Sequence, residues 1–336
     1  MDNIRIAVVG AGRIGLTHAE NVARRVRGAR LVAVTTSRPD RAAAACACCG
    51  DVAVYPDLEA LLGAERLDAV VIASSTAAHP GNVERCAAAG LHIFCEKPLA
   101  LSLPDCDRAI QAAARAGVKL MMGHVRRFDP GHVQAWQHIQ AGAIGRPLVF
   151  RSISGDMDPP PPDFANPAVS GGLILDACYH DLYLSRWLLA DEVVRAYAEG
   201  GALVDEGVRS VGDVDNAVVS LRFSRGAMAS LFVSRTTRYG HDLRVEVIGD
   251  EGAVQIGYFR QTPVRLLDRH GVHHDMPRTI PDRLADALVA EVQAFIDCVV
   301  LGTEPPVPGN DSRTTLAVGI AATLSMHERR PVAVDA

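Results

Sequence analysis

A chain of 336 residues with 49% hydrophobic and 22% charged side chains is long for one core, suits two, and excludes a disordered protein. Its formal charge of -5 comes without a basic run or an aromatic–basic stripe, which argues against a nucleic-acid partner, and no apolar run approaches the ~20 residues of a membrane span. The opening "MDNIRIAVVGAG" enters an apolar strand pattern at once, with no basic n-region or cleavage site, so a cytoplasmic protein without a membrane partner is expected.

In chain order, "IRIAVVG" reads as a strand and is followed by a helix from about Arg13. Next come "RLVAVT", a helix through "RPDRAAAACACC", the short "VAVY", a turn at Pro56 and a helix through "LEALL". "DAVVIAS" leads to a helix around "GNVERCAAAG", "LHIFCEK" leads to "LPDCDRAIQAAARAG", and "VKLMMGH" closes the run. Near-continuous Val/Ile/Ala strands between helices imply a parallel sheet covered on both faces. The first domain is therefore a doubly wound α/β unit over residues 1–123. The remainder, 124–336, reads as α+β. A helix through "PGHVQAWQHIQAG" precedes "RPLVFRSIS", an irregular Pro-rich loop "GDMDPPPPDFANPAVSGG" and a helical block "LILDACYHDLYLSRWLL". Then "VVRAYAEG", "NAVVSLRF", "AMASLFVS", "LRVEVIG" and "AVQIG" follow with turn signals between neighbours, which favours a large open, mostly antiparallel sheet. Helices return at about 282–300 and 310–327.

The eight cysteines agree with a reducing compartment. "CACC" at 46–49 lies in a helical pattern without a second cluster at metal-ligand spacing, and the others fall singly in apolar segments. Neither a metal nor a disulfide framework is expected.

Three features carry chemistry. "VVGAGRIG" sets Gly10, Gly12 and Gly15 in the G-x-G-x-x-G spacing between a strand and a helix, where backbone can approach a pyrophosphate at the helix N-terminus. The place after strand two, which offers an acid to the ribose of NAD, reads "VAVTTSRPDR". Thr36 and Ser37 supply hydroxyls, Arg38 supplies charge, and the first acid is Asp40. That pattern suits a 2′-phosphate and favours NADP, with NAD bound without its carboxylate as the alternative. Second, only two of the 34 Lys and Arg residues are lysine. Lys119 opens a strand; Lys97, in "IFCEKPLA", either falls there by chance or is kept as a compact point charge able to sit against a reacting oxygen. Third, Asp176 and His180 are four apart in a helical pattern and share a face. They are either a surface pair or an imidazole oriented by a carboxylate as a general base.

Together, "VVGAGRIG", "CEKPLA", "GHVRRFDPGH", "SGGLILDACYHDLYLSRWLL", "GDVDNAVVSLRFSRGA" and "SRTTRYGHDLRVEVIG" resemble the glucose–fructose oxidoreductase / inositol dehydrogenase family (Gfo/Idh/MocA), most like its inositol 2-dehydrogenase branch. The resemblance implies a Rossmann domain followed by an α/β domain whose open sheet supports a homo-oligomer, dimer or tetramer. It implies that Lys97, Asp176 and His180 are catalytic. The cofactor contacts expected with it are Gly10, Gly12, Arg13, Ile14, Gly15, Thr36, Ser37, Arg38, Ser74, His79, Glu96 and Lys97, and the substrate contacts are Arg127, Asp158 and Tyr179. Three departures stand out: the missing acid after strand two, Leu284 and Leu288 where the inositol branch tends to carry aromatics, and Tyr179 where a small or aliphatic residue is common. The loop "SGDMDPPPPDF" carries Asp156, Asp158 and Asp163 without a basic residue. It is either a solvated turn or a substrate-facing acidic rim, and both readings disfavour a phosphorylated sugar. The expected activity is NAD(P)-dependent hydride transfer from a secondary hydroxyl of a cyclitol or pyranose, including an aminocyclitol or amino sugar. The alternatives are a reaction that recycles a tightly held cofactor, and a non-catalytic nucleotide sensor on the same fold.

Overall fold

The computed structural model describes residues 3–257, 262 and 264–335. The chain divides into two units, the first of residues 1–128 and 286–314, the second of residues 129–285 and 315–336.

The first unit is a six-stranded sheet of β1 (Ile4–Val9), β2 (Ala29–Thr35), β3 (Ala53–Tyr55), β4 (Ala69–Ile72), β5 (His92–Glu96) and β6 (Leu120–Gly123) in the order β3-β2-β1-β4-β5-β6. All neighbours are parallel, and β1 and β4 are buried through their ends, as helices on both faces require. The order reverses beside β1, and the crevice at the carboxyl ends of β1 and β4 is where such sheets bind ligands. The division expected at residue 123 takes no account of 286–314. Val292, Phe295 and Ile296, from the helix Ile280–Leu301, join Ile6, Val8, Val22 and Phe94 in one core cluster. Four-residue spacing puts Val292 and Ile296 on one face, and that face completes this core rather than the second one.

The second unit holds a seven-stranded sheet of β7 (Pro147–Gly155), β8 (Val193–Gly201), β9 (Asn216–Phe223), β10 (Met228–Ser234), β11 (Asp242–Gly249), β12 (Ala253–Ile256) and, after the hairpin β13 (Arg265–Asp268) and β14 (Gly271–His274), the two-residue β15 (Val332–Ala333). Its order is β12-β11-β7-β10-β9-β8-β15. Every pairing is antiparallel except β7 with β10, which makes the sheet mixed. Burial alternates along β9 and β10, so one face is packed and the other open. On the open face Phe232 pairs with Ile153 on one side and Val218 on the other, and Phe232 and Val218 are exposed. The Pro-rich stretch, expected to be irregular, contains two single-turn helices, Pro162–Ala165 and Pro167–Ser170, the second capped by the Asn166 side chain. Among the described residues, no helix is long and apolar enough to cross a membrane.

Candidate functional site

In the first unit β1 ends at Val9 and the helix Arg13–Arg24 starts after three intervening residues, with Gly12 as its N-cap and no side chain capping it. The first-turn N–H groups therefore keep their need for an acceptor. Gly10 has φ +103°, and a Cβ there would lie 2.7 Å from the Ala73 carbonyl oxygen at the end of β4. A Cβ at Gly15 would fall 2.0 Å from the Gly10 carbonyl oxygen, so this glycine lets helix and strand touch. At Gly12 a Cβ would meet nothing within 4 Å. The space in front of it is open, as a pyrophosphate cradle requires. Arg13 is exposed and Ile14 half-buried at the same helix start.

Beyond β2 the hydroxyls are partly spent on the fold. The Gly10 N–H donates to Thr35 Oγ1 at 3.1 Å, and the Arg38 N–H donates to Thr36 Oγ1 at 3.2 Å. Ser37 and Arg38 are exposed. Arg38 forks onto Asp40 through Nε (3.2 Å) and Nη2 (2.8 Å), and that hydrogen bond is the main reason the Asp40 carboxyl sits below its ordinary range. The guanidinium expected to meet a phosphate thus already faces a carboxylate.

His79 lies behind the nucleotide loops rather than among them. It is buried, with Nδ1 2.9 Å from the Pro98 carbonyl oxygen and Nε2 3.1 Å from that of Ser74. A neutral ring can donate to only one of these, and burial lowers its pKa against the pull of both bonds. His79 therefore joins the end of β4, where the Ser74 hydroxyl accepts from Asn82 Nδ2, to the turn that carries Lys97. Lys97 is half-buried, and its N–H donates to Glu96 Oε2 at 3.3 Å. Arg127 is half-buried in the single 3₁₀ turn Val125–Phe128.

Glu96 leads to a group that sequence reasoning missed. His18 Nε2 donates to Glu96 Oε1 at 2.6 Å, and Glu291 Oε1 lies 3.9 Å from the same nitrogen. His18 and Glu291 are fully buried, and neither Glu291 oxygen has a hydrogen-bond partner. Burial, then the charge of Glu96, pushes the Glu291 pKa well up. The three donor atoms lie within 4.8 Å of one another, a spacing a cation could bridge. The short hydrogen bond and the raised pKa of Glu291 equally suit a proton-holding cluster behind the Glu-Lys-Pro turn. A signal existed: Glu291 stands three after Leu288 and four before Phe295, an acid on an apolar stripe. Native Glu291 keeps a proton that the unfolded chain releases above the ordinary carboxyl range, so this group's contribution to stability falls as pH rises. Glu291→Gln should therefore raise Tm, with a gain near zero at pH 4.5 that grows toward pH 8. Thermal melts across that range check it; a gain independent of pH would remove protonation as its cause.

In the second unit, Asp176 and His180 sit on one continuous helical segment, a π turn over Ile174–Cys178 running into the α-helix Tyr179–Leu189. Wide turns of this kind recur at functional sites. Leu173, Leu184 and Leu188 face the core as the apolar spacing requires. Asp176 and His180 are both half-buried. Asp176 Oδ2 accepts from Arg235 Nη2 at 2.9 Å, and Arg235 Nη1 donates to Asp213 Oδ2 at 3.0 Å. Arg235, distant in sequence, gave no signal.

Two of the expected substrate contacts, Tyr179 and Asp158, have surroundings of their own in the fold. Tyr179 is fully enclosed, its ring packed in the core. Asp158 is held by Arg238 Nη1 at 2.6 Å, and Asp156 faces His241 Nδ1 at 2.9 Å. Arg238 thus supplies a counter-charge that the loop itself lacks, and His241 a polar neighbour.

Comparison with known proteins agrees with both units. The model of the oxidoreductase family with an NAD-binding Rossmann fold (GFO/IDH/MocA) matches residues 4–124, and that of the GFO/IDH/MocA C-terminal domain matches residues 132–255. The chain is 39% identical to the myo-inositol 2-dehydrogenase of Thermotoga maritima, with 99% of each protein covered. It is 36% identical to the scyllo-inositol 2-dehydrogenase (NAD(+)) of Bacillus subtilis, covering 99% of this chain and 96% of that protein. The crystal structure of scyllo-inositol dehydrogenase from Lactobacillus casei with bound NAD(H) and scyllo-inositol superposes with a TM-score of 0.92 at 27% identity, covering 99% of each chain. Both units thus have counterparts in proteins matched over the full chain, and the chain belongs to the GFO/IDH/MocA family of oxidoreductases with an NAD-binding Rossmann fold.

Proposed function

We propose that this protein oxidises a secondary hydroxyl of a cyclitol, in the manner of an inositol 2-dehydrogenase, or runs the reverse reduction. The observation that carries the reading is end-to-end similarity to inositol 2-dehydrogenases in a chain that keeps Lys97 after β5 and Asp176 with His180 on one helical face. Gly10, Gly12 and Gly15, with the uncapped N–H groups of the following helix, would hold the dinucleotide; when bound, its nicotinamide supplies the hydride acceptor. His180 takes the hydroxyl proton, Lys97 steadies the developing negative charge on that oxygen, and Asp176 orients the imidazole. The ion pair of Asp158 with Arg238 supports a neutral polyol over an amino sugar, because that carboxylate is already matched by a guanidinium. Dehydrogenase assays over inositol isomers, pyranoses, amino sugars and phosphosugars, each with NAD and NADP, test the proposal. A phosphosugar or an amino sugar as best substrate would overturn it.

For the cofactor we infer that NADP is accepted at least as well as NAD. No acid follows Thr36 and Ser37 until Asp40, and Arg38 is exposed beside them. A charge-assisted phosphate contact is worth about 1.5–3 kcal/mol. Arg38→Ala should thus weaken NADP at least tenfold and leave NAD unchanged. Asp40→Asn, which releases the guanidinium from its present partner, should tighten NADP. Titration of both cofactors against both variants decides; equal losses for NAD and NADP would put Arg38 outside the 2′ position.

That none of the eight cysteines is in a disulfide supports a cytoplasmic location. The apolar row Ile153, Phe232 and Val218 on the open sheet face supports a homo-oligomer that covers it.

A further inference from the structure

Arg235 directly follows β10, and its side chain is 1% exposed. A buried guanidinium needs partners for a charge and five N–H groups. It finds Asp213 Oδ2 at 3.0 Å and Asp176 Oδ2 at 2.9 Å, while its own backbone N–H donates to the Asp215 carbonyl at 2.8 Å. Asp213 reaches onward: its Oδ1 accepts from the Leu173 N–H at 3.2 Å, at the start of the segment that carries Asp176. Gly172, at φ +76°, comes so close that a Cβ would lie 2.7 Å from the same Oδ1. One cation therefore ties the end of β10, the stretch before β9 and the Asp176 turn together.

The division of that fork is informative. Both nitrogens on one carboxylate would make the stronger pair. Split between two acids, the fork engages a single oxygen of Asp176 and fixes its direction, and one positive charge is shared between two negative ones. Buried ion pairs are poor sources of stability compared with apolar packing, and their best-attested use is to hold a particular arrangement. We propose that Arg235 is a positioning residue for Asp176, and that Asp213 sets how Arg235 presents itself. The inference rests on the reading that Asp176 serves the chemistry.

The experiment is a pair of double-mutant cycles in kcat, using the cyclitol that the wild type oxidises fastest: Arg235→Lys, Asp213→Asn and Asp176→Asn, with each of the first two combined with the third. Arg235→Lys keeps the charge and loses the fork; Asp213→Asn keeps size and an acceptor for the Leu173 N–H. Each should lower kcat by about tenfold, as coupled neighbours do, with dinucleotide Kd within about twofold of wild type. In the Asp176→Asn background the same changes should alter kcat less than about twofold, because the residue they act through is gone. Multiplying losses, or wild-type kcat in both single variants, would overturn the positioning role. Wild-type kcat in Asp176→Asn alone would instead remove the reading beneath it. Should Arg235→Lys fail to fold, the Asp213→Asn cycle carries the same decision.

Discussion

His180→Ala is expected to lower kcat by roughly 10²–10⁴ while leaving dinucleotide affinity almost unchanged. The imidazole stands on the helix of the second unit, whereas the glycine cradle belongs entirely to the first. On the proposed reading, losing the ring removes a proton acceptor and leaves the glycine cradle as it was. Lys97→Arg should be nearly as damaging as Lys97→Ala. An ammonium on a flexible stem presents a compact charge, and a planar guanidinium cannot take the same place at the end of the half-buried turn that His79 braces through Pro98. Steady-state kinetics with dinucleotide titration separate the steps. An arginine variant with near wild-type kcat would show that any cation suffices, and a His180→Ala variant that loses cofactor affinity would make the helix part of the dinucleotide site.

The second large effect contrasts two glycines of one motif. Gly12→Ala meets no atom within 4 Å, so Tm should shift by no more than the loss of a good N-cap residue implies, about 1 kcal/mol. Dinucleotide affinity should nonetheless fall at least tenfold, ~1.4 kcal/mol, because the added methyl occupies the approach of the pyrophosphate. Gly15→Ala pushes a methyl to 2.0 Å from the Gly10 carbonyl oxygen, and backbone cannot step aside cheaply. Overpacking of this kind costs about 1–3 kcal/mol or more, so Gly15→Ala should lose stability first and binding as a consequence. Thermal melts beside titration with the reduced dinucleotide distinguish the two. Intact binding in Gly12→Ala would move the phosphates away from that residue.

Much of this was legible in the amino-acid sequence, and what was not has physical reasons. The parallel sheet could be read because strands buried on both faces leave near-continuous apolar runs, as in "IAVV" within β1 and "AVVI" in β4. The glycine cradle and the Glu-Lys-Pro turn are local in sequence, so spacing sufficed. The β7–β10 pairing escaped notice because parallel partners need no turn between them and leave no local signal. Partners brought from afar were equally silent. Arg235 reaches Asp176 across 59 residues, and Arg238 neutralises Asp158 across 80. That Tyr179 is buried beside a half-buried His180 could not be read from adjacency, because successive side chains on a helix point about 100° apart. Glu291 and His18 were readable in principle as polar residues on apolar stripes, but the periodicity that marks a core does not say which buried acid meets which base.

The route of the chain has a consequence for how the protein is made. The hydrophobic cluster that seats β1 and β5 is closed by Val292, Phe295 and Ile296, which leave the ribosome more than 160 residues after Phe128, the last N-terminal residue of that unit. Vectorial synthesis usually lets an N-terminal domain finish while the rest is still being translated. Here the nascent dinucleotide fold waits, its inner face unsealed, until six of the seven strands of the second unit's sheet have been made.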